Sequence, residues 1–150
     1  MKLSAVCEIL RHLERPIYHL VPSCRDKASG VITNWGPVIS ISEEEMRSHG
    51  LDLLLAEFRE FPSRDSAARS VPNPRTPEGR REAKAWRESV PICVTFMEDG
   101  TIKFIPCARW GRGAWEHLTD SALALKQPTT PTEFFQTLCT AFERCKPEIN

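Results

Sequence analysis

Apolar residues recur along the chain in two rhythms, and the changes between them mark out elements. In the first stretch Leu3, Val6, Cys7, Leu10 and Leu13 stand three or four apart, a spacing that predicts one face of a helix ended by Pro16. Ile17 to Val21 then predicts a strand, a polar loop runs to Gly30, Val31-Ile32 opens another extended piece, and Val38 to Ser42 is the clearest strand of the first half. Ser42 followed by Glu45 is a capping box, in which side chains satisfy the orphan amides of a first helical turn. The helix it starts carries the stripe Leu51, Leu54, Leu55 and Phe58, and Gly50 predicts a break or a second start just before that stripe.

The strongest local pattern lies in the second half. Ile92, Val94 and Phe96 alternate with Cys93, Thr95 and Met97, Asp99-Gly100 follows, and Ile102 and Phe104 resume the alternation. This predicts a hairpin closed by a two-residue turn, whose central residues must tolerate positive φ. A loop carrying Trp110, Gly111, Gly113 and Trp115 leads to a strand at Ala122 to Leu125, and after Pro128 and Pro131 comes a final helix with the stripe Phe135, Leu138, Cys139 and Phe142.

Setting 38–61 against 122–145, a shift of 84 positions without a gap, brings these patterns into coincidence. Ile39 meets Leu123, Ile41 meets Leu125, and the stripe 51, 54, 55, 58 meets 135, 138, 139, 142. Two strand-then-helix units of equal spacing predict an α+β domain with a strand-helix pseudo-repeat: a mostly antiparallel central sheet with two amphipathic helices packed on it.

Composition narrows the picture. At 150 residues the chain is the length of one domain, able to bury about two-thirds of the surface its unfolded form exposes. Twenty basic residues balance twenty acidic ones, which argues against a nucleic-acid or membrane-surface protein as a whole. Glu8 and Arg11 interrupt the first apolar stretch before it could serve as the core of a signal peptide, and no long apolar run follows, so a cytoplasmic protein is expected. Six cysteines without a C-x-x-C pair are expected as reduced, mostly buried residues.

Charge is unevenly spread. Residues 62–84 hold four prolines, six basic and three acidic residues, which predicts a Pro/Arg-rich loop or insert with a short helix after Pro77. Residues 42–60 hold six acidic and two basic ones, a net charge of −4. If the Leu51 stripe faces the core, helical geometry turns Glu45, Asp52, Arg59 and Glu60 outward, and the acids read either as a solvated face or as a docking surface for a basic partner.

Signs of catalysis are sparse. His12, His19, His49 and His117 have no partners at metal-ligand spacing, and neither a metal nor a cofactor is expected. Cys107 and His117 are a candidate thiol and imidazole pair, with no strand-to-helix elbow around a serine to go with them, and the glycines of 110–115 lack the context of a phosphate loop. An enzyme is therefore not expected. The basic 62–84 segment could hold a phosphate backbone, giving a nucleic-acid-binding module as the alternative reading, but it offers no aromatic residue for base stacking.

The order of features carries a resemblance. Trp35-Gly36-Pro37-Val38, Lys84-Ala85-Trp86, Asp99-Gly100-Thr101-Ile102, Phe104-Ile105-Pro106 and Glu133-Phe134-Phe135 through Phe142 together resemble immunity proteins of bacterial contact-dependent growth inhibition systems, over residues 15–146. The resemblance implies a protein that binds and neutralises the toxic C-terminal domain of a cognate effector, in many cases a nuclease with a basic cleft. The expected partner-binding residues are Glu45, Asp52 and Glu60 on the acidic helix and Trp110, since interface hot spots favour tryptophan. Trp35 is expected to lay its ring over the sheet.

Overall fold

In the computed structural model the described residues are 2–110 and 114–149; the side chains of Trp110, Glu148 and Ile149 are not among them. The central pairing joins β1 (Leu3–His12) to β6 (Ser89–Met97) antiparallel, with Cys7 opposite Val94 and Ile9 opposite Ile92. On one side lie β2 (Ile17–Val21) and β5 (Ile39–Ser42), on the other β7 (Ile102–Trp110), which also pairs with β8 (Ala114–His117), β9 (Leu123–Leu125) and β10 (Lys146–Ile149). All of these pairings are antiparallel except β7 with β10. A small separate sheet joins β3 (Ser23–Arg25) to β4 (Ile32–Asn34). Helices α1 (Glu43–Glu60), α2 (Pro77–Arg87) and α3 (Pro131–Glu143) complete an α+β domain.

The helix expected over 3–13 is a strand. Ala5, Cys7 and Ile9 fall on the face that also holds Tyr18, Ile92 and Phe104, while Val6 and Leu10 fall on the other, and all five are buried. A central strand covered on both faces needs apolar residues in both phases, so its two-residue period vanishes and the remaining spacing mimics a helix.

Strand alternation fixes the layers. Tyr18, Phe96 and Phe104 meet Phe135 and Phe142, Phe58, and Phe134 respectively, so α1 and α3 share one face of the sheet. His12 and His19 project from the other, where His12 meets Glu88 just past the end of α2 and His19 faces a cleft lined by Glu78, Arg81 and Glu82 of α2. The segment 62–76 is correspondingly docked rather than a loose insert. It forms 3-10 turns at Phe61–Ser63 and Ser66–Ala68, Arg69 Nε donates to Asn34 O at 2.7 Å, and Ser70 N donates to Trp35 O at 2.9 Å. Trp35 lies just past β4, half-buried, with the Arg64 guanidinium 5.8 Å from its ring centre, so it braces the small sheet instead of covering the large one.

The pseudo-repeat is present in three dimensions, and its register is the same in both halves. Tyr18 pairs with Ile41 and Leu20 with Ile39 between β2 and β5; moved by 84 residues these become Ile102 with Leu125 and Phe104 with Leu123, which are the pairs between β7 and β9. Helices α1 and α3 meet near the local axis, where Gly50 faces Phe134, its own counterpart under the same shift. Gly50 does not break α1. It is buried within the helix, and a Cβ there would run into the Met46 sulfur and come within 3.1 Å of the Phe134 ring.

Two turns also differ from expectation. The β6–β7 loop spans three residues, Glu98 to Gly100: Met97 N donates to Thr101 O at 2.9 Å, Gly100 N donates to Met97 O at 2.9 Å, and only Gly100 has positive φ, at 87°. The Asp99 carboxylate accepts from Thr101 N, so Asp99 closes the turn through its side chain rather than by a positive φ. Beyond it, the loop expected around Trp110 and Trp115 is largely strand, with Arg109 opposite Trp115 and Trp110 opposite Ala114; Gly111 and Gly113 lie outside the described residues.

Candidate functional site

The acidic helix is built as a rigid plank. Ser42 Oγ accepts from Glu45 N at 3.1 Å, Glu43, Glu44 and Glu45 sit in the first turn where the helix dipole favours negative charge, and Met46, Gly50, Leu51, Leu54 and Phe58 are buried. Leu55 of the expected stripe is only half-buried. Glu45, Asp52, Arg59 and Glu60 all face solvent. At 1.5 Å rise per residue, Glu45 and Glu60 stand about 22 Å apart along the axis, so the acids form a line rather than a tight cluster. Among the described residues, Glu44, Glu45 and Asp52 make no ion pair, whereas Glu60 lies 3.9 Å from Arg64.

Trp110 ends β7, and its side chain lies outside the described residues. Nearby Trp115 is half-buried against the core with Arg109 over its ring at 5.8 Å. Cys107 and His117 do come together, as direct partners across β7 and β8. The thiol is unsuited to nucleophilic attack all the same: Cys107 is buried, and desolvation, with lesser contributions from Cys145 and Cys93, pushes its pKa up to about 12. Cys93, opposite Ile105 on β6, is likewise pushed up to about 12, first by burial and then by Glu8.

Two concave sites were not visible in the sequence. One, of about 740 Å³, opens between α2 and the strands β2 and β5 and is lined by His19, Ser40, Val38, Glu78, Arg81 and Glu82 among others. Ser40 Oγ lies 2.7 Å from His19 Nδ1, and the Glu82 carboxylate accepts from Val38 N, fastening α2 to the start of β5. Burial, and secondarily the neighbouring His12, lowers the His19 pKa and favours the neutral imidazole. Among the described residues no carboxylate bonds the other ring nitrogen, so the pair lacks the orienting third member of a hydrolytic triad.

The other site, of about 640 Å³, lies between the β3–β4 turn, the start of β1 and the end of α1, with Lys2, Arg25, Lys27 and Arg64 in its lining. Arg64 is the best-anchored cation of the 62–84 segment. It donates to Ser23 O at 2.9 Å and to the Glu57 carboxylate at 2.7 Å, and 7% of its side chain is exposed. Arg69 and Arg80 also donate to backbone carbonyls, Asn34 O and Arg75 O, so part of the basic charge expected to reach outward is bound up within the fold.

Among the described residues no group of three His, Cys, Asp or Glu side chains could hold a metal ion, and no helix is long and apolar enough to cross a membrane. No family model matches the chain, and no curated protein matches it. Among solved structures, a protein of unknown function from Neisseria meningitidis, NMB0488, superposes with a TM-score of 0.60 over 97% of this chain and 99% of that one, at 11% sequence identity. That likeness shows a shared fold.

Proposed function

We propose that this chain is a cytoplasmic immunity protein that neutralises, by stoichiometric binding and without catalysis, the toxic C-terminal domain of a contact-dependent growth inhibition effector, a nuclease with a basic cleft. The observation that carries this reading is the outer face of α1. Glu44, Glu45 and Asp52 are exposed, make no ion pair among the described residues, and ride on a helix whose inner stripe is locked into the core. A backbone already ordered as helix needs no further ordering when a basic surface arrives, and the unpaired acids steer encounter as well. The resemblance of 15–146 to the immunity family points the same way.

The test is calorimetric titration with the toxic domain encoded beside this protein's gene. The expected result is one-to-one binding at nanomolar strength, about −12 kcal/mol. Folded partners that fail to associate would overturn the proposal.

A further inference from the structure

The cavity between the β3–β4 turn and the end of α1 lies apart from the outer face of α1, and its chemistry is the reverse. Lys2, Arg25, Lys27 and Arg64 line it against a single acid, Asp26, while Glu57 stands behind Arg64. The Asp26 carboxylate already accepts from Ser29 N, Ser29 Oγ and Ser66 Oγ, at 3.1, 2.6 and 2.9 Å. Arg64 is answered by Glu57 and, at 3.9 Å, by Glu60, whereas the side chains of Lys2, Arg25 and Lys27 make no ion pair among the described residues.

A second observation concerns donors rather than charge. The Nε atoms of Arg25 and Arg64 are both buried, and neither has an acceptor among the described residues. A buried donor left unpaired is a standing cost of the fold. Arg64 cannot swing away to find an acceptor, because its two terminal nitrogens are already committed to Ser23 O and Glu57. The cavity also has an apolar side, made of Leu3, Phe61 and Pro62, and its volume of about 640 Å³ falls in the range of small-molecule sites.

We infer that this cavity binds a phosphate monoester of a small organic molecule, with the phosphate on Arg25, Arg64 and Lys27 and the organic part against Leu3, Phe61 and Pro62. A phosphate monoester carries close to two negative charges at neutral pH and three acceptor oxygens, which suits a lining where Lys2, Arg25 and Lys27 stand without an ion pair beside the anchored Arg64. The β3–β4 turn leaves the entrance open, since Gly30, at φ 74°, presents no side chain and no atom lies within 4 Å of where its Cβ would be.

The full-length protein is titrated, at low ionic strength, with adenosine 5′-monophosphate, adenosine and inorganic phosphate, followed by amide chemical shifts. Saturable binding of the monophosphate, no binding of adenosine, and shifts centred on 25–30 and 61–64 are expected. Arg25→Gln removes one guanidinium without touching the Arg64–Glu57 pair, and should weaken binding about tenfold while leaving the melting temperature of the free protein within a degree or two. Inorganic phosphate binding as tightly as the monophosphate would overturn the organic half of the proposal. Absence of saturation, or an Arg25→Gln variant that binds like the parent, would overturn it entirely.

Discussion

Helices α1 and α3 occupy matching places in the two halves of the sheet, yet they turn different chemistry outward. Their inner stripes correspond residue for residue, Leu51, Leu54 and Phe58 against Phe135, Leu138 and Phe142, and all six are buried. The outward residues Glu45, Asp52 and Glu60 correspond instead to Thr129, Gln136 and Arg144. Helix α1 is also a turn longer at its start, since the counterpart of Glu43 is Gln127 while α3 begins at Pro131, capped by Thr130. The frame shared by the two halves is thus a matter of packing, and whatever is particular to one half lies on its outside.

The comparison can be broken at the axis. Phe134→Ala removes a fully buried ring that packs against Phe104 and over Gly50, and should cost about 3–5 kcal/mol in chemical denaturation. Gly50→Leu forces a side chain into the same gap and should cost about 1–3 kcal/mol. The two combined should cost less than their sum, because the space one vacates the other fills; strict additivity would deny that the two positions meet.

It can be sharpened on the surface. Reversing Glu45, Asp52 and Glu60 to Lys together should weaken toxin binding at least about tenfold at low salt, mostly through the association rate, with under about 1 kcal/mol of stability lost. Lysines at the counterparts Thr129, just ahead of α3, and Gln136 on it should leave the affinity unchanged. Equal losses from both sets would mean that bulk charge, not α1, governs binding.

Smaller effects come from the titrating groups on the α2 side of the sheet. Burial raises the Glu8 pKa above the ordinary 4.5, so its contribution is complete below that value and is lost as pH rises through the folded-state pKa. Glu8→Gln should therefore raise the melting temperature at pH 7.5, and that gain should vanish as pH falls toward 4.5. His19 has the opposite sign: its folded pKa lies below 6.5, so the fold weakens as pH falls through 6.5, and His19→Gln should flatten that decline. A Glu8→Gln variant whose advantage is the same at both pH values would refute the assignment to ionisation.

What could be read in the sequence follows from the range of the interactions. The α1 and α3 stripes, the 92–104 hairpin and the pseudo-repeat rest on spacings of a few residues and were legible. Strand β1 was not, because burial on both faces erased its alternation, and β3, β8 and β10 are three or four residues long, too short to show a period. The exposed acids followed from helical geometry once the stripe was known. His19 beside Ser40 and Arg25 beside Arg64 depend on strand register and on how 62–76 docks, so the chain had to be folded before those neighbours could be named.

The pairing of β1 with β6 also sets a timetable for synthesis. Cys7 waits for Val94 and Leu3 for Met97, so the middle of the sheet cannot close until nearly two-thirds of the chain has left the ribosome. Until then the β1–β2 hairpin carries an open edge beside Cys7 and Ile9, a template for mispairing with other nascent chains. Any fragment that ends before residue 89 lacks β6 altogether, so β1 stays an edge strand in it.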